Sequence, residues 1–271
     1  MQNPRTTGVS KIMHLRLFVS YIILSLRLSA AEIGEPTPVN QLLVSGNACG
    51  PAALLNAFRF GNSDWQRASN SVTGTNDKEL ILKVIREIGM RPSKHIAGRP
   101  RWSRRGVSVA DLRDMADEMT IGQFLPHPSD EVFFLQPRET PEKLLIRVHQ
   151  RLAKSITKGL PPIISLRRYT LRSQPNGQAQ WTVIDAHFVT LTKIPTKLNK
   201  NAQRFPVTYI DPWGGRYCHG EIAIPSPPFL ADPSGDPSCL EAVFPKSSVG
   251  NKLVRKSEKS FIAVSAAIGR W

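Results

Sequence analysis

Strong helix signals stop near residue 159 and strong strand signals begin at residue 163, and this segregation limits the folds open to the chain more than any other feature. From Pro51, the residues Ala52, Ala53, Leu54, Leu55, Ala57 and Phe58 favour a helix. The proline falls in the first turn, where its missing N–H is not needed, and Gly61 is a natural stop. A second helix is predicted over 77–88, with Asn76 as cap and Glu79 three residues on. A third is predicted over 108–119, and a fourth over 141–158, capped by Thr140 and ended by Gly159. Short β-rich runs follow at 163–169, 181–194, 207–210, 217–224 and 261–266. Helices first and strands after predict an α+β protein with an antiparallel sheet, and argue against alternating βαβ units.

A chain of 271 residues, 41% of them hydrophobic, has enough apolar surface for one large domain. Its first 31 residues read differently. Arg5, Lys11 and Arg16 precede the apolar run LFVSYIILSL (17–26), which is followed by Ser29, Ala30 and Ala31. A basic region, a short apolar region and small residues form the pattern of a secretory signal cut after Ala31 or Ala30. The expected product is an exported domain over 32–271, periplasmic or secreted, with no membrane domain beyond the signal. Arg27 supports the competing readings, an anchor over 17–26 that stays in place or a misassigned start.

Net charge is +15, and removing residues 1–31 takes away four cations and no acid, leaving +11. Such a surface attracts anions but does not name a partner. The basic stretch RPSKHIAGRPRWSRRG (91–106) is a candidate contact for an anionic surface. With Trp102 as its one aromatic it lacks the interleaving expected of a nucleic-acid site, and no nucleic acid is expected.

Three cysteines are an odd number for an exported chain. Cys218 and Cys239 both fall in the β-rich part and can be paired on paper, leaving Cys49 as the free thiol. Cys49 lies in SGNACGPAALLNAFRF (45–60), just ahead of a predicted helix, where unpaired backbone N–H groups and the helix dipole favour a thiolate. Gly50 would let the backbone approach a substrate. A small inert residue at a tight turn fits the stretch equally well.

A nucleophilic thiol needs a base. His14 falls in the leader, His95 and His127 in proline-containing loops, and His149 inside the long helix. His219 follows Cys218 directly, and strand neighbours point to opposite faces. His187 stands within the apolar strand WTVIDAHFVTLTKI (181–194), as a base or as a hydrogen-bonded core histidine. To orient it, Asp211 at the end of the next strand, VTYIDPWGG (207–215), is a better acceptor than Asp185, two residues away on the same strand. The Asp-Pro-Trp-Gly-Gly segment also reads as an ordinary turn.

The order Cys49, His187, Asp211 resembles that of the papain-like cysteine peptidases. More closely, CGPAALLNAF (49–58), HFVTL (187–191) and YIDPWGG (209–215) resemble the three motifs of cysteine peptidase family thirty-nine, which processes double-glycine leaders of bacteriocins, and of its stand-alone relatives. PPIISL (161–166) matches the strand before the histidine. The resemblance covers residues 41–215 and implies a papain-like fold with the N-terminal helices packed on the C-terminal antiparallel sheet. It further implies a peptide or protein substrate, no metal or organic cofactor, and a thiol acyl-enzyme mechanism with Cys49 as nucleophile, His187 as base and Asp211 as its orienter.

The family also places a glutamine six residues before the cysteine, to complete an oxyanion hole; here that position is Leu43. Gln41, or alternatively Asn47, is the amide left to serve. The membrane and ATP-binding domains of the family's transporter-linked members are absent from this sequence. A catalytically inactive module of the same fold, or a basic binder of anionic surface polymers, is the competing functional reading.

Overall fold

The computed structural model describes residues 36–45, 47–173, 177, 179–225 and 238–271; the predicted leader lies outside them. Five helices precede the long strands: α1 (Cys49–Arg59), α2 (Ser63–Asn70), α3 (Asp77–Val84), α4 (Val109–Thr120) and α5 (Pro141–Thr157). A π-helical turn, Ile85–Gly89, extends α3. Four of these helices begin at a side chain that accepts a first-turn N–H, from Asn62, Asn76, Ser108 and Thr140 respectively. Each such cap stabilises its helix by about 1 kcal/mol.

The strands are β1 (Trp102–Ser103) and β2 (Gly106–Val107), a small hairpin, then β3 (Ser129–Val132), β4 (Ile163–Ser173), β5 (Ala179–Lys193), β6 (Arg204–Asp211), β7 (Arg216–Ala223), β8 (Leu240–Val243) and β9 (Ser260–Gly269). Strands β4 to β9 run antiparallel in the order β9-β4-β5-β6-β7-β8, and β8 pairs back onto β9 through Leu240↔Val264 and Glu241↔Ala263. The sheet is thus a closed six-stranded barrel, with β3 added outside on β9.

This closure corrects the expected papain-like arrangement of helices laid on an antiparallel sheet. Register shifts at Arg168/Tyr169, Ser165/Leu166 and Leu191/Lys193 bend the strands, and β8 covers the edges that an open sheet would leave unpaired. The strand β8 and the helix α2 have no counterpart among the elements expected from the sequence.

Two apolar clusters follow from strand alternation. Leu166, Val189, Leu191, Val207, Tyr209, Leu240 and Val264 share the inward face, and α5 adds Leu144, Leu145, Val148 and Leu152 to the same cluster. On the opposite face of the strands, Ile163, Phe188 and Ile268 pack with α1 and α4 through Leu54, Ala57, Leu112 and Met115. Fully burying a leucine such as Leu54 contributes about 1.5–3 kcal/mol. Thr190 fixes α1 on β5 by donating its Oγ1 hydrogen to the Ala53 carbonyl at 2.8 Å.

The possible Cys218–Cys239 bridge is not formed; both residues remain thiols, and both are buried. Cys218 is in the barrel interior opposite Tyr209, whereas Cys239 forms a backbone bridge with Phe134 and packs with Tyr169 and Phe261. Burial pushes the Cys218 thiol pKa up, which keeps that sulfur protonated and unreactive.

Candidate active site

The first turn of α1 is set against the barrel where β5 and β6 carry His187 and Asp211. Among the described residues, α1 is the one helix of eight or more residues whose N-cap, Ala48, offers no side-chain cap. Its leading N–H groups have no acceptor within the helix and no capping oxygen, and Pro51 has no N–H at all. Gly50 is required for a reason other than substrate approach: a Cβ there would run into Val107, on the β1–β2 hairpin that packs against the helix start.

His187 is 6% exposed and Asp211 is fully buried. The His187 Nε2 lies 2.8 Å from Asp211 Oδ1. An ionised carboxylate only accepts, so Nε2 carries the hydrogen and Nδ1 is the ring nitrogen left free, while Cys49 lines the same cleft close enough to act on the ring's charge. Burial alone would lower the His187 pKa. The hydrogen bond to Asp211 and the influence of Cys49, with the charges on both, more than reverse this and raise it to about 10.

Asp211 is held from behind. Its Oδ1 also accepts the Trp213 N–H at 2.9 Å, so the turn that ends β6 locks the carboxylate. That turn is itself clamped by the lead-in segment. Gln41 N–H donates to the Pro212 carbonyl at 2.9 Å and Gly214 N–H to Asn40 Oδ1 at 3.2 Å. Gly215, at φ 61°, comes so close to the Pro38 carbonyl that a Cβ would sit 2.9 Å from it. Asn56 of α1 holds the same lead-in by accepting the Val39 N–H at 2.7 Å. Residues 37–41 thereby tie the helix that begins at Cys49 to the turn that holds Asp211.

A cleft of about 640 Å³ opens over the thiol, lined by Cys49, His187, Asn47, Arg105, Trp213 and the 248–253 loop. This is a size typical of ligand sites. Of the two candidate amides, Asn47 lines the cleft and donates its Nδ2 hydrogen to the Arg104 carbonyl. Gln41 is buried in the 3₁₀ turn Gln41–Leu43, beneath the clamp just described. Asp185, set aside as an orienting group, has another task. It accepts the Ala186 N–H at 2.9 Å and the Gly250 N–H at 2.6 Å, and so fixes the far wall. Arg168 secures the same loop through the Val249 carbonyl at 2.6 Å and Asn251 Oδ1 at 2.7 Å. The role of this wall escaped sequence reasoning because its contacts join residues more than 60 positions apart.

The basic stretch 91–106 is partly consumed by the fold. Buried Arg101 and exposed Arg91 both pair with Glu118 of α4, at 2.8 and 2.7 Å, while Arg105 remains exposed at the cleft. Among the described residues, no group of three or more His, Cys, Asp or Glu side chains is arranged to hold a metal ion, and no helix is long and apolar enough to cross a membrane. No family model, curated protein or solved structure matches the chain.

Proposed function

We propose that the chain is an exported cysteine hydrolase, a peptidase that cleaves amide bonds through a thioester on Cys49. The observation that carries this reading is the buried His187 imidazole, held by the Asp211 carboxylate, lining the same open cleft as the Cys49 thiol. The motifs CGPAALLNAF, HFVTL and YIDPWGG, with their resemblance to cysteine peptidase family thirty-nine, support the same assignment. The basic and apolar pattern of residues 5–31 supports export.

In this mechanism Nδ1 of His187 takes the thiol proton, and the sulfur adds to the scissile carbonyl carbon. Asp211 holds the ring with Nε2–H turned away from the thiol and stabilises the imidazolium that forms. The oxyanion lies at the uncapped start of α1, where the Cys49 N–H donates and a side-chain amide, from Gln41 or Asn47, completes the hole. The carbon–nitrogen bond then breaks, and the amine leaves with the proton held on Nδ1. Water attacks the thioester, gives a proton to Nδ1, and the thiol is regenerated as the acid departs. The peptide or protein substrate enters along the cleft between Trp213 and the 248–253 loop.

The test is to incubate the purified full chain with a proteome-derived peptide library and read new termini by mass spectrometry, with Cys49→Ala as control. Cleavage that disappears in the Cys49→Ala protein is expected. Cleavage that survives Cys49→Ala, or Cys49 alkylation by iodoacetamide that is no slower in His187→Ala, would sink the assignment.

A further inference from the structure

Resting on that reading, we infer that the hydrolase selects acidic substrates: peptides carrying Asp or Glu beside the scissile bond, recognised by Arg105 and Lys252 on the two walls of the cleft. Arg105 belongs to the β1–β2 hairpin and Lys252 to the 3₁₀ turn Asn251–Leu253, and both are exposed where they line the cleft. Among the described residues neither forms an ion pair, whereas Arg91, Arg101, Arg113, Arg147 and Arg172 are each matched to carboxylates.

Among the described residues the cleft holds one acid, Asp185, and it does not offset them. Asp185 uses both oxygens on backbone N–H groups and faces Arg168, whose guanidinium interacts with it electrostatically. With both its oxygens engaged by backbone N–H groups, Asp185 is turned into the wall, and the charge presented to a ligand by the described lining is that of Arg105 and Lys252. Beside them Trp213, 38% exposed, offers an apolar face for a neighbouring side chain. A cleft with low-dielectric walls and two like charges focuses its field along its length and raises the local concentration of anionic ligands. A basic peptide entering the same cleft would meet two like charges and, among the described residues, no carboxylate free to receive it.

The experiment compares alkylation of Cys49 by iodoacetate and by iodoacetamide, which share a leaving group and differ by one negative charge. The ratio of the two rates cancels changes in the thiol's own reactivity. In the double variant Arg105→Gln/Lys252→Gln the iodoacetate-to-iodoacetamide ratio is expected to fall at least threefold (roughly, for two lost charges). In wild-type protein the ratio should also fall when salt is raised from about 0.05 M to about 0.5 M, which checks the effect without any substitution. In the peptide-library digest, Asp and Glu should be enriched around the cut bonds and the enrichment should disappear in the double variant. An unchanged ratio, or cuts with no acidic enrichment, would overturn acidic selectivity while leaving the hydrolase reading intact. Failure of that reading is distinct: it would show in iodoacetamide alone, as a Cys49 rate that His187→Ala does not lower.

Discussion

Two buried histidines stand toward opposite ends of the β5–β6 pair, and they do opposite things. His187 lies against Asp211, which ends β6, whereas His149 of α5 reaches the far end of the pair. There its Nε2 lies 2.8 Å from the Pro195 carbonyl and its ring meets Phe205 edge-on. They are similarly buried, at 6% and 5% exposure. The difference is the partner. A carbonyl fixes a ring without favouring its charged form strongly, while a carboxylate fixes it and holds a proton on it. Burial by itself therefore says little about a histidine's task; the charge of the group it is buried against says more.

That contrast can be broken in several places, the largest effect first. Cys49→Ala should lower the hydrolysis rate by about 10⁴ or more, read as kcat on a cleaved peptide, because the reacting atom is gone. Asp211→Asn should cost about 10³ in kcat: the amide can donate to Nε2 and turn the wrong tautomer toward the thiol. His149→Leu should leave hydrolysis in place and destabilise the fold by about 1–3 kcal/mol in urea unfolding, since the Pro195 carbonyl loses its partner. If His149→Leu abolished catalysis without unfolding the protein, the division of labour between the two ends would be wrong.

The pH dependence sharpens the same comparison. His187 has a folded pKa raised to about 10, above the ordinary histidine value near 6.5. Its contribution to stability is therefore complete below about pH 6.5 and is lost as pH rises through about 10. Urea titrations of wild type and His187→Gln should converge over that window, with a slope difference of at most about 1.4 kcal/mol per pH unit. The smallest effect is expected at the exposed His219, bonded to Thr208 at 3.2 Å, where substitution by alanine should shift stability by no more than about 0.5 kcal/mol.

What could be read from the sequence divides along the same lines as the structure. The caps at Asn76, Ser108 and Thr140 act within three residues, so α3, α4 and α5 begin where local chemistry says they should. Cys49, His187 and Asp211 stood out because each is a polar residue at the end of a helix or within an apolar strand. The fold brings the three together across spans of 138 and 24 residues. Closure of the barrel was not legible, because β8 is four residues long and its meaning lies in pairing with β7 and β9, not in its own pattern. The placement of the two candidate amides was equally hidden. Whether Gln41 or Asn47 faces the helix start depends on a lead-in that is positioned by Asn56, Pro212 and Gly214.

One feature of the barrel bears on how the molecule is made. Strand β9 follows every other strand in the chain, yet it pairs with β3, β4 and β8 and is the element on which the ring shuts. A growing chain can form its capped helices and the β4–β5 hairpin as they emerge, but it cannot close around Val189, Leu191 and Tyr209 until residues 260–269 have joined. The imidazole and its carboxylate are then neighbours on an unfinished ribbon, and the cleft above them gains its rigid framework only once residues 260–269 have joined.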